Sequence, residues 1–82
     1  MLIAAIILMP VIATVAGVKI YMYMRDHNPP HFHAQHGGDE EVFDLEGNHL
    51  RGGINRKKGK KVKKWAKENE EMLKDKWDEF QQ

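Results

Sequence analysis

Apolar residues in this chain change their spacing once, near residue 55, and that change limits the folds available to it. Before it, apolar and polar residues alternate; after it, apolar residues recur every three or four positions. The alternation is clearest across Val11 to Val15 and Val18 to Arg25, two runs rich in β-branched and aromatic residues around Ala16-Gly17. A two-residue loop there pairs Val15 with Val18, Ala13 with Ile20 and Val11 with Met22, all on one apolar face. Ile12, Thr14, Lys19, Tyr21, Tyr23 and Arg25 take the other face. Beyond residue 55, Val62, Trp65, Ala66, Asn69, Met72, Leu73, Lys76, Trp77 and Phe80 make one helical stripe, broken in character only at Asn69 and Lys76. One switch from strand period to helix period predicts an α+β domain: a small antiparallel β-sheet covered on one face by a C-terminal α-helix.

The segments between follow from turn chemistry. Asp26-His27-Asn28-Pro29-Pro30 is irregular, because two prolines remove two backbone donors and Pro29 pushes Asn28 out of the helical region. His31 to His36 reads as a short central strand ended by Gly37-Gly38. Glu40 to Leu45 and His49 to Gly52 read as a second hairpin around Gly47-Asn48, with Leu45 facing Leu50 and Asp44 facing Arg51. The helix is predicted over Arg56 to Phe80, with Asn55 as its N-cap and Gly59 moving the stable start toward Lys60. Trp65 and Trp77 are assigned to the core, since large aromatics at helical spacing pack.

Eighty-two residues with 19 Val, Ile, Leu and Phe make a single domain with a thin core. That excludes a multidomain enzyme, a rod and a deeply enclosed active site. The absence of cysteine excludes disulfides and thiolate metal sites. Five of the 19 lie in residues 1–8, an apolar run far too short to span a bilayer. No basic residue precedes it, as a signal peptide requires. Residues 1–8 are read as an N-terminal extension before Met9-Pro10, and residues 9–82 as the domain. No membrane anchor is expected. An alternative makes residues 2–8 an additional strand, pairing two copies along an open edge.

Four of the five histidines fall within ten residues: His27, His31, His33 and His36. On a strand, His31 and His33 present both rings to one face, with Cα atoms ~6.5–7 Å apart. Two neutral imidazoles can share a divalent ion. Asp26 and His27, folding back across Pro29-Pro30, would complete a set suited to zinc or iron. The alternative is a loop held by histidine stacking and backbone hydrogen bonds, with Asn28, Pro29, Pro30 and Phe32 as its frame.

Charge is segregated. The chain carries a net +1, yet residues 51–67 hold nine cations and no acid, between two acidic segments. Arg56, Lys57, Lys58, Lys60, Lys61, Lys63 and Lys64 crowd the start of the helix, where the macrodipole is already positive. Helix stability does not explain this placement; a phosphate-bearing ligand would, and nucleic acid is the natural partner. The competing reading is a solvated lysine face partly balanced by the acidic 39–46 hairpin. Tyr21 and Tyr23, on the side of the first hairpin away from the core, are candidate base-stacking residues.

Met9-Pro10-Val11-Ile12, the strand Gly17-Val18-Lys19-Ile20-Tyr21-Met22-Tyr23 and the run Asp26-His27-Asn28-Pro29-Pro30-His31-Phe32-His33-Ala34 resemble the small bacterial family called domain of unknown function 4160. The likeness continues through Leu50, the basic turn after Gly53 and Trp65-Ala66, and covers residues 9 to about 80. It implies a small, soluble, cytoplasmic protein whose gene often neighbours that of another small protein, as in a toxin–antitoxin-like or regulatory pair. It carries over no catalytic residues.

Three readings follow. The first, favoured at this level, is an interaction or regulatory module that binds a second small protein or a second copy of itself through an edge strand. The next is nucleic-acid binding through residues 56–64. The least favoured is a metal-dependent hydrolase built on Asp26, His27, His31 and His33, since no further general base is evident.

Overall fold

The computed structural model describes residues 9–82. The expected N-terminal extension, residues 1–8, lies outside the described residues. Five strands form one sheet in sequential order: β1 (Val11–Val15), β2 (Val18–Tyr21), β3 (His31–His36), β4 (Asp39–Asp44) and β5 (His49–Gly52). Every neighbouring pair is antiparallel. Two helices follow, α1 (Arg56–Glu68) and α2 (Glu70–Gln81).

The first hairpin turns through Ala16 and Gly17, with φ of 50° and 80°. Two successive positive φ values mark the turn whose twist matches the strands it joins. Val15 pairs with Val18 and Ala13 with Ile20, as expected. The expected Val11–Met22 pair does not form. An irregularity between Val11 and Ala13 sets Val11 against Tyr21 instead and leaves Val11 53% exposed.

The second hairpin also departs from its expected register. Phe43 pairs with His49 and Val42 with Arg51, with an irregularity at Val42/Phe43 that leaves Leu50 unpaired and exposed. Asp44 therefore does not face Arg51, nor Leu45 Leu50. Asp44 instead holds the turn: its carboxylate accepts from the backbone N–H of Glu46 and Asn48 and from the Asn48 side chain. Three local donors converge on one carboxylate, and the turn they fix sets the register.

The helical region is two helices rather than the single one expected. Asn69 interrupts it, with φ −128° and ψ 26°. Its side-chain amide donates to the Trp65 carbonyl at 2.8 Å and its N–H to the Ala66 carbonyl at 3.1 Å. An asparagine that satisfies the preceding turn with its own side chain competes with helix continuation. Helix α1 begins at Arg56 and accommodates Gly59, so the later start near Lys60 is not seen. Asn55 is the N-cap, accepting from the Lys58 N–H.

Val62 and Ala66 of α1 and Leu73, Trp77 and Phe80 of α2 join Val18, Ile20, Met22, Phe32, Ala34, Phe43 and Leu45 in one core cluster. Phe32 stacks on Phe43 and meets Trp65 edge-on. The opposite face of β2 and β3 is also closed. Tyr21, His31 and His33 are 2%, 3% and 4% exposed. The segment between β2 and β3 folds over them and is tied to the end of α2 where the Arg25 N–H donates to the Phe80 carbonyl. Among the described residues no helix is long and apolar enough to cross a membrane.

Candidate functional site

Strand β3 alternates Phe32 and Ala34 toward the helices with His31 and His33 toward the other face, as the two-residue period requires. The Asn28-Pro29 peptide bond is cis. The chain before β3 returns Asp26 and His27 to the imidazoles. Asp26 Oδ2 lies 2.8 Å from His31 Nε2 and 3.7 Å from His33 Nε2; Oδ1 lies 3.6 Å from His27 Nε2. One carboxylate thus faces the Nε2 atoms of three histidines. Ligand atoms of Asp26, His27 and His31 all lie within 4.8 Å of one another, and His33 joins the group through Asp26.

The opposite ring nitrogens fix the tautomers. His31 Nδ1 lies 2.7 Å from the Pro29 carbonyl, His33 Nδ1 3.2 Å from Glu40 Oε1 and His27 Nδ1 3.2 Å from the Asn28 carbonyl. Carbonyl and carboxylate oxygens only accept, so each Nδ1 is the N–H donor, and each ring turns its Nε2 toward Asp26, His31 Nε2 at hydrogen-bonding distance from Oδ2. The Nε2 atom of His33 is buried without a hydrogen-bond partner among the described residues. A second ring nitrogen that faces a carboxylate needs a cation between them, a proton or a metal ion. A ring N–H bonded to a carbonyl or carboxylate is also the arrangement that orients metal-bound histidines. Tetrahedral zinc, with bonds of ~2.1 Å, separates its ligand atoms by ~3.4 Å. The three Asp26-to-imidazole distances, 2.8 to 3.7 Å, lie on either side of that spacing.

Charge supports the same chemistry. Burial pushes the Asp26 carboxyl up, but the His27 backbone N–H and the His31 and His27 rings outweigh it and hold it below the usual carboxylate range. Glu40 behaves likewise: burial opposes ionisation, while the Tyr21 hydroxyl, His33 and Arg51 favour it. Burial and the adjacent Glu40 push the Tyr21 hydroxyl well up, so it stays a donor to that carboxylate.

Tyr21 is therefore not an exposed base-stacking residue. It stacks on His33 at 5.0 Å between centroids, and Tyr23 meets the same ring edge-on at 4.8 Å. Glu40 and Trp77 belong to the site and were not assigned to it from sequence. Glu40 stands behind His33, and the Trp77 ring packs 5.3 Å from that of His31. Glu40 is one of three consecutive acids, Asp39, Glu40 and Glu41, and strand alternation separates it from Glu41. His36 lies at the far end of β3, paired with Asp39, away from the cluster. Of the motif frame, Asn28 and Pro29 supply carbonyls to the rings, Pro30 borders the segment and Phe32 is core.

The basic block sits elsewhere. Arg56, Lys57, Lys58, Lys60, Lys61, Lys63 and Lys64 occupy the first turns of α1, which packs on the Phe32 face of the sheet. Among the described residues no carboxylate lies within 4.0 Å of any of the seven. Lys58 Nζ donates to the Ala16 carbonyl. Of the acidic hairpin, Glu41 comes to the helix start. It accepts from the Ile54 N–H at 3.3 Å and pairs with His49 Nδ1 at 2.8 Å.

Comparison with curated proteins and with solved structures finds no match. A family model does match, over residues 17–78, a span that contains the whole Asp-His-Asn-Pro-Pro-His-Phe-His corner just described. The chain belongs to the family described as Domain of unknown function (DUF4160).

Proposed function

We propose that this domain binds a divalent metal ion, zinc by the chemistry of its donors, through Asp26, His27, His31 and His33. The carrying observation is His33 Nε2: buried, without a hydrogen-bond partner among the described residues and 3.7 Å from the Asp26 carboxylate. The His27 side chain is 71% exposed, so the ion would meet solvent on that side, where water would take a fifth position or the place of His27. An open position is the mark of catalytic rather than structural zinc, and bound water there becomes a nucleophile near neutral pH. This supports hydrolytic chemistry above the other readings. Calorimetric titration with zinc, alongside NMR of the imidazole rings, tests it. One equivalent with shifts at His27, His31 and His33 is expected, and loss of that equivalent in His33→Ala. Unshifted rings at micromolar zinc would remove the metal and leave a purely structural corner.

A second reading has its own support. Seven cations without a carboxylate neighbour, at the positive end of α1, favour a polyanion such as nucleic acid. Affinity for a short duplex should fall steeply with salt and drop when Lys60, Lys61, Lys63 and Lys64 are all changed to Gln. Equal affinity in that variant would discard the block. Pairing with a second small protein, in a toxin–antitoxin-like couple or as a homodimer, draws on β1 and β5, the edge strands among the described residues, where Val11 and Leu50 are exposed. Sedimentation of the pure chain as a monomer, with no partner retained from its own cell extract, would end that reading.

A further inference from the structure

A cavity of about 260 Å³ opens beside the histidines, lined by His27, Pro29, His31, Val42, Leu50 and Arg51. One wall is formed by two of the proposed metal ligands. Another is formed by Arg51. Val42, Leu50 and Pro29 supply apolar surface between them.

Arg51 is there because of the register shift in the second hairpin. Continued without a break from the Phe43–His49 pair, the ladder would set it against Glu41, and the two charges would offset each other. The irregularity between Val42 and Phe43 sets Arg51 opposite Val42 instead, while Asp44 is taken up by the turn. Among the described residues no carboxylate lies within 4.0 Å of Arg51, and its nearest charge effect is a share in keeping Glu40 ionised. Strand irregularities recur next to functional sites because they re-aim one side chain. Here the re-aimed side chain has a planar fork of donors suited to two oxygens of one anion.

We propose that this cavity is the substrate site of the metal centre and takes a small phosphate monoester, its phosphoryl oxygens shared between Arg51 and the ion. The proposal rests on the metal reading above. Drug-sized ligands occupy roughly 300 to 1,000 Å³. A cavity of 260 Å³ therefore suits a phosphoryl group with a short apolar ester, not a nucleotide. The apolar surface from Val42, Leu50 and Pro29 would hold the ester carbons.

The probe is phenylphosphonate, which carries the phosphoryl oxygens and cannot be hydrolysed. It is titrated into the zinc-loaded and metal-free chain and followed on the Arg51 side-chain N–H. A saturable Arg51 shift is expected, tighter by about tenfold or more with zinc, as a charge-assisted contact to the ion contributes. Arg51→Gln should take up zinc as the parent does yet bind the probe about tenfold more weakly. Equal probe affinity in Arg51→Gln, or shifts confined to the lysines of α1, would overturn the assignment. If the chain takes up no zinc, the metal reading fails separately. An Arg51 shift in that metal-free protein would still support the anion site, and its absence would end it.

Discussion

Ala16 and His33 show how much single residues decide. Ala16 holds φ of 50° at the first turn, a conformation that disfavours residues with a Cβ other than Asn, Asp or Gly. Ala16→Asn should therefore raise stability by about 0.5–1 kcal/mol in urea unfolding, since its backbone contact to Lys58 is kept. A neutral or destabilising result would contradict the turn geometry. His33 depends on what stands behind it. Removing the carboxylate that orients a metal-bound histidine weakens metal binding by about 10- to 100-fold. Glu40→Ala should show that loss by zinc calorimetry while circular dichroism stays unchanged. The histidines and Asp26 were legible in sequence because a strand's period is two and the cluster is local. Glu40 was not, because three adjacent acids look alike until strand pairing turns one of them toward His33.

Turns set the register of elements here. The β4–β5 turn passes so close to α1 that a Cβ on Gly47, at φ +87°, would sit 2.9 Å from the Lys63 carbonyl oxygen. Gly47→Ala should cost about 2 kcal/mol or more, from positive φ and steric overlap together. Chemical denaturation would register this, and a cost within about 0.5 kcal/mol would mean the turn is free of the helix. Strand and helix positions were readable from period alone. The shift at Val42/Phe43 and the break at Asn69 were not. Each is decided by a polar side chain, Asp44 or Asn69, that satisfies backbone groups beside it, and apolar spacing does not record such bonds.

Across the whole molecule, the thin apolar inventory is concentrated in one cluster joining both helices to the sheet. Leu73 is fully buried in it. Leu73→Ala should cost about 2–5 kcal/mol. A domain of this size holds roughly 4–12 kcal/mol in total, so the melting temperature should fall by about 10 °C or more. A smaller fall in a calorimetric scan would place α2 outside the cooperative core. The sequence by itself determined the fold class, the two hairpins, the helical C-terminal third and the placing of His31 and His33 on one face. Those follow from local propensities and from the repeat lengths of strand and helix. Tertiary structure alone decided that Glu40 meets His33, that Tyr21 is buried beside the histidines and that Arg51 escapes Asp44. It also placed the lysines on the other face of the sheet. These are contacts between distant segments, set by strand register and loop closure, and spacing along the chain carries no information about them.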